Sequence, residues 1–343
     1  MTIGLVKENL KELIEQGNIK SNYELKEYLQ PNSIDLPIEG TAYLVANKFS
    51  TYNQKVEELL KTYAVEKISL KEKPILYKGQ TYIIPTATID LPSKYKCSVS
   101  PKSSIGRVDL VVRTIHDESG IYDKPETGKK VKLWLEVTPN SFNVKIEEGM
   151  SLNQLRCLEK GKKAPQPKEQ VLFNEDGEPI ERKWDEEELV MGLEINPKTP
   201  GFKSKDTNKV IDMTKRKANN PKDFFKKIRP EGKSLTLEKD KFYILNTKEI
   251  IHIPPEYQVE MKPYDDRALD ARVHYAGFFD SGFTAQAVLE LRSNEVKNIV
   301  DGQPICFMKF YKNTKKPKEL YGENSNYQGQ KGPKLAKYFK DWN

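Results

Sequence analysis

Two stretches of this 343-residue chain repeat one another in the same order, and that repetition constrains its fold more than any other feature. IDLPSKYKCSVSP (89–101) parallels IHIPPEYQVEMKP (251–263), with Tyr95 and Tyr257 each six residues before a proline. WLEV (134–137) parallels VLEL (288–291), and EEGMSLNQLRCLEK (147–160) parallels VDGQPICFMKFYK (300–312). Alternating apolar and polar residues run through these stretches, so the economical account is one β-rich unit duplicated in tandem.

The rest of the chain fits that account. Ile3, Leu5, Leu10, Leu13 and Ile14 share a helical face and Gly17 follows, which predicts a helix over 3–16. Short strand-like segments come next (TAYLVAN, QTYIIPTATI, KYKCSVS, KLWLEV, FNVKI), punctuated by Pro and Gly. The chain turns polar from Lys160 to about Glu188, then strand patterns resume with LVMGLEI, KFYILNT, AQAVLEL and ICFMKFY. The expected division is a first domain over 1–162, a linker over 163–188 and a second domain over 189–343.

The 57 basic residues exceed the 50 acidic ones by seven and are scattered. Such a surface suits a phosphate-bearing small molecule as well as nucleic acid. No run interleaves aromatic and basic side chains as a nucleic-acid platform would, so no nucleic-acid partner is expected. Cys97, Cys157 and Cys306 are odd in number and far apart, giving neither a disulfide framework nor a zinc pair. With no signal-peptide pattern and no apolar run of membrane-spanning length, a cytoplasmic setting without a membrane partner is expected.

PKSSIGR (101–107) sets two hydroxyls between cations. Lys102, Ser103, Ser104 and the backbone near Gly106 are candidates to hold phosphate oxygens. On spacing alone an ordinary turn is the preferred reading, because Ser, Gly and Pro are turn residues. The repeat sets PYDDRALDAR opposite it, with Asp265 and Asp266 in place of Ser103 and Ser104. Two carboxylates cannot hold a polyphosphate without a metal.

The flanks favour the functional reading. The opening helix, QPNSIDLPIEG (30–40), PKSSIGR, EEGMSLNQL and the tail YGENSNYQGQKGP (321–333), in this order, resemble the dCTP deaminase branch of the dUTPase superfamily in its duplicated, two-domain form. The resemblance implies a mainly β chain: two tandem distorted jelly-roll β-barrels with a short N-terminal helix, assembled as a homo-oligomer. In such folds a site takes its phosphate loop from one barrel and its base-and-sugar hairpin from another. HYAGFFDSGF (274–283) is close to the superfamily hairpin, whereas RTIHDESGIYDKPETGKK (113–130) is stretched and lacks its spacing. Each half keeps the piece the other has lost, as a composite site between them predicts.

The implied reaction is hydrolytic, zinc-independent deamination of dCTP to dUTP and ammonia. Its proton shuttle is a glutamate on the strand after the hairpin, Glu290 or Glu136. Glu290 is preferred because it follows the intact hairpin. Val288, Leu289 and Leu291 flank it, implying a buried strand suited to raising a carboxyl pKa. Ser103 and Arg107 would orient the water and the glutamate, and the Ala276 carbonyl would hold the water or the exocyclic amine. Asp280 would accept from the sugar 3′-hydroxyl, although Asp-Ser-Gly is by itself a common hairpin turn. Phe283 would stack beneath the deoxyribose, and Phe278 stands where many relatives carry a basic residue. Tyr321, Tyr327 and Gln330 would fold over the nucleotide. His116, His252, His274 and the cysteines form no H-x-E and P-C-x-x-C array, so no zinc is expected, and Mg²⁺ enters only with the triphosphate. Two alternatives stay open: a dUTPase or bifunctional enzyme yielding dUMP, and a catalytically dead nucleotide-binding protein.

Overall fold

The computed structural model describes residues 2–161, 165–182, 184–264, 271–273, 277–322 and 325–342, with the side chains of 271–273 excepted. The chain is mainly β, and its described strands form six sheets. The first half holds a six-stranded sheet ordered Ala64–Ser69, Thr41–Val45, Thr81–Asp90, Lys130–Pro139, Leu110–His116, with Ile19–Lys20 also on Thr81–Asp90. The second half repeats it as Phe225–Ile228, Gly201–Ser204, Phe242–His252, Thr284–Ser293, Ala271–Val273, with Leu172–Phe173 on Phe242–His252. The echo in the sequence is thus an echo in strand order, and WLEV and VLEL occupy matching strands.

Two local expectations change. The N-terminal helix covers only Lys7–Glu15, because Thr2–Gly4 pairs as a strand with Leu158–Lys160. Ile3 therefore belongs to a sheet edge, where backbone pairing outweighs its place on the helical stripe. The polar segment read as a linker contains Leu172–Phe173, paired with Ile250 and Ile251.

The halves are not separate bodies. Val210–Asp212 runs parallel to Asn143–Lys145, joining them edge to edge. One buried cluster includes Tyr82 and Phe142 from the first half with Phe202, Phe225, Ile244 and Phe339 from the second. Phe142 packs edge-on against Phe224 and Phe225, with centroids 5.6 and 5.2 Å away. Aromatic pairs of this kind add to the area they bury. This packing brings the PKSSIGR stretch against the strand carrying VLEL.

Candidate active site

PKSSIGR follows the strand Tyr95–Pro101, and Ser103–Gly106 closes into a single helical turn. That turn consumes backbone donors: Ile105 and Gly106 both donate to the Lys102 carbonyl, at 2.8 and 3.2 Å. The polar groups offered to a ligand are therefore side chains rather than the Gly106 N–H. Ser103 is half-buried, and Ser104 is buried with its hydroxyl 2.6 Å from that of Tyr327. The Lys102 ammonium is paired with Asp35.

Arg107 ends the turn and is buried. Its Nε lies 3.9 Å from Glu290 Oε1. Its Nη1 donates to Gln330 Oε1 at 3.2 Å and to the Lys334 carbonyl at 2.8 Å. Its guanidinium lies 3.6 Å from the Tyr327 ring centroid, a cation–π contact in a desolvated setting. A first-half turn, a second-half strand and the C-terminal tail thus converge within one chain. Glu290 is 1% exposed in the middle of Thr284–Ser293, opposite Ile244.

Of the expected hairpin, residues 277–283 are described; Ala276 and His274 lie outside the described residues, as do Asp265 and Asp266. Burial pushes Asp280 up to about 6, against the pull of Arg156, whose Nη2 lies 3.8 Å from Asp280 Oδ1. Ser281 donates its N–H to Asn32 Oδ1 at 2.8 Å, which fixes the turn to the first half. Gly282 has φ +88°, and a Cβ there would come within 2.9 Å of Leu320 Cβ. Phe283 is buried edge-on against Phe279 and Tyr321, with centroids 5.1 and 5.5 Å away. Phe278 packs under the Arg156 guanidinium at 4.2 Å.

The tail lies along the strand that carries Glu290. Gly329 donates to the Thr284 carbonyl at 2.9 Å, and Gly332 donates to Gln286 Oε1 at 2.6 Å. Gln330 is held at both ends, by Arg107 and through its Nε2 to the Gln286 carbonyl at 2.8 Å. The tail then enters the shared core through Leu335, Ala336, Tyr338 and Phe339. Between them Lys337 is pushed down to about 8 by burial and by the charge of Lys102.

Glu136 occupies the matching strand of the first half and is also buried, but its company differs. Lys48 Nζ lies 3.1 Å from one carboxylate oxygen, and the Tyr122 hydroxyl donates to the other at 3.3 Å. Those partners are first-half residues, and neither belongs to PKSSIGR or the tail.

Four residues at the site escaped sequence reasoning: Asn32, Asp35, Arg156 and Lys337. Asn32 and Asp35 stand in the quoted QPNSIDL motif, where buried polar residues in an apolar strand were the available signal. Arg156 is 1% exposed inside LNQLRCLEK, and an arginine among alternating apolar residues was the corresponding clue. Nothing in the sequence distinguishes Lys337 from the other tail lysines.

Two family models match the chain. One, described as the 2′-deoxycytidine 5′-triphosphate deaminase N-terminal domain, matches residues 3–162, and the other, its C-terminal domain, matches 163–339. Among solved structures, the 2′-deoxycytidine 5′-triphosphate deaminase from Agrobacterium tumefaciens is similar with a TM-score of 0.82 and 28% identity, covering 92% of this chain and 99% of its own. No curated protein matches the chain in sequence.

Proposed function

The chain belongs to the 2′-deoxycytidine 5′-triphosphate deaminase family, and from that premise we propose that its composite site hydrolyses dCTP to dUTP and ammonia without zinc. The observation that carries the proposal is the approach of Arg107 to Glu290 across the two halves, with Tyr327 and Gln330 closing over it.

In this reading water adds to C4 of cytosine, and Glu290 takes its proton. That proton passes to the ring nitrogen N3 and stays there; the hydroxyl proton of the resulting tetrahedral C4 then passes through Glu290 to the departing amine, so the C4–N bond breaks and a C4 carbonyl and ammonia result. Arg107 and Ser103 orient the carboxylate and the water, and the Ala276 carbonyl holds the water or the amine. Asp280 accepts from the 3′-hydroxyl and Phe283 closes the space beneath the sugar. Ser104 and Lys102 bind phosphate oxygens, joined by Lys337, whose pKa is lowered first by burial and then by the charge of Lys102. An incoming triphosphate supplies negative charge to both ammonium groups, and Mg²⁺ arrives with it as part of the substrate. The reading extends to two distorted jelly-roll halves and to a cytoplasmic homo-oligomer. Glu290 is preferred over Glu136 because only Glu290 has Arg107 beside it and the tail alongside.

The test is incubation of purified protein with dCTP and Mg²⁺ after chelator treatment, with nucleotides separated by chromatography. Ammonia and dUTP are expected. Release of dUMP and pyrophosphate would identify a bifunctional enzyme, and no turnover of dCTP or dUTP would leave a binding protein.

A further inference from the structure

Two residues beyond each member of the Arg107–Glu290 pair stands a second pair of reversed polarity. Asp109 follows Arg107, and Arg292 follows Glu290. Arg292 Nη2 contacts both Asp109 Oδ2 and Ser141 Oγ, the latter at 2.6 Å, while the Ser141 hydroxyl is itself bonded to Asp109. Arg292 Nη1 donates to the Asp240 carbonyl, which fixes the guanidinium from its far side. Asp109 is 1% exposed and sits at φ +54°, a left-handed position that Asp tolerates better than most residues. Its N–H donates to the Gly106 carbonyl at 2.9 Å, so its placement is coupled to the PKSSIGR turn.

On a strand, residues two apart share a face, so Glu290 and Arg292 both point toward the first half. We propose that Asp109–Arg292 is a positioning pair that sets the register of the Arg107 turn on the Glu290 strand. The alternation of sign supplies the register. A slip of two residues one way brings Arg107 against Arg292, and the other way brings Asp109 against Glu290. Both alternatives juxtapose like charges, whereas an apolar contact would tolerate either. A buried ion pair adds little stability over apolar residues of equal volume, so its distinctive contribution here is geometry. The inference rests on the deaminase reading, in which the Arg107–Glu290 distance matters to chemistry.

The experiment compares the full-length protein with Arg292→Gln and Arg292→Lys by steady-state ammonia release from dCTP, with circular dichroism reporting the folded fraction. Arg292→Gln is expected to lose about tenfold to a hundredfold in kcat, the scale of a misplacement of roughly 1 Å, with KM changed less than about threefold. Arg292→Lys is expected to recover most of that loss. Wild-type kcat in folded Arg292→Gln, or a loss no larger than its unfolded fraction, overturns the proposal. If Arg292→Gln does not fold, Ser141→Ala decides: deleting one hydrogen bond to Asp109 is expected to cost about threefold in kcat at constant KM, and no change overturns the proposal. A wild-type protein that releases no ammonia overturns the deaminase reading and this inference with it.

Discussion

The hydroxyls of Ser104 and Tyr327, 223 positions apart in the chain, lie 2.6 Å from one another. The tail therefore rests directly on the stretch proposed to bind phosphate, and a nucleotide must share or replace that hydrogen bond. Tyr327→Ala removes both this bond and the ring against Arg107, and is expected to raise KM for dCTP about tenfold. Tyr327→Phe keeps the ring and should raise it about threefold at most. Initial rates across a dCTP series measure both, and unchanged KM in the alanine variant would remove the tail from substrate binding.

Glu290 and Glu136 make opposite predictions from matching strands. Glu290→Gln is expected to lower kcat at least about a hundredfold, the lower range for a lost general acid–base group. Its dCTP binding by calorimetry should survive. Glu136→Gln, whose partners are Lys48 and Tyr122, should keep more than about half of its kcat. The reverse outcome would transfer catalysis to the first half.

Asp280 gives the site a pH dependence with a defined sign. Its pKa is pushed up to about 6, first by burial, with Asp35 adding to the rise and Arg156 and Lys102 opposing it. A carboxylate accepts from a sugar hydroxyl more strongly than the neutral acid does. Affinity for dCTP is therefore full above pH 6 and weakens as pH falls through it. In Asp280→Asn, KM should be high at every pH and this limb should vanish, which KM profiles between pH 5 and 8 would reveal.

Arg156 is buried between the halves and donates to the Val259 and Phe279 carbonyls at 2.8 and 3.2 Å. Arg156→Met leaves both carbonyls without this donor and Asp280 without its nearest cation. A loss of about 3–5 kcal/mol in stability is expected by urea unfolding, the range for breaking a buried pair on one side. The KM limb assigned to Asp280 should also move above pH 6, because the pull that lowers its pKa is gone.

Much of the fold was legible because a tandem repeat doubles the pattern: strand alternation in one half is checked by the other. PKSSIGR is picked out by its flanks and Glu290 of VLEL through the family resemblance, not by spacing alone, and the structure sets Arg107 and Glu290 side by side. What remained hidden are contacts with no sequence period. The Lys334 carbonyl is an acceptor for Arg107 that any residue type could supply. Asn32, far upstream, anchors Ser281 only because folding brings two distant turns together. The tail is expected only to fold over a nucleotide, yet Leu335, Ala336, Tyr338 and Phe339 bury its end in the core. The contraction of the first helix had another cause: edge pairing by Thr2–Gly4 competed with helical periodicity.

The aromatic cluster shared by the two halves has a historical consequence. A freshly duplicated gene can lose either copy and return to its starting point. Once Phe142 of one copy was packed against Phe224 and Phe225 of the other, that return was closed. Deleting either half would strip the survivor of its apolar cover and remove one side of the site. The two halves now share one core, so each is the other's cover as well as its partner in the site.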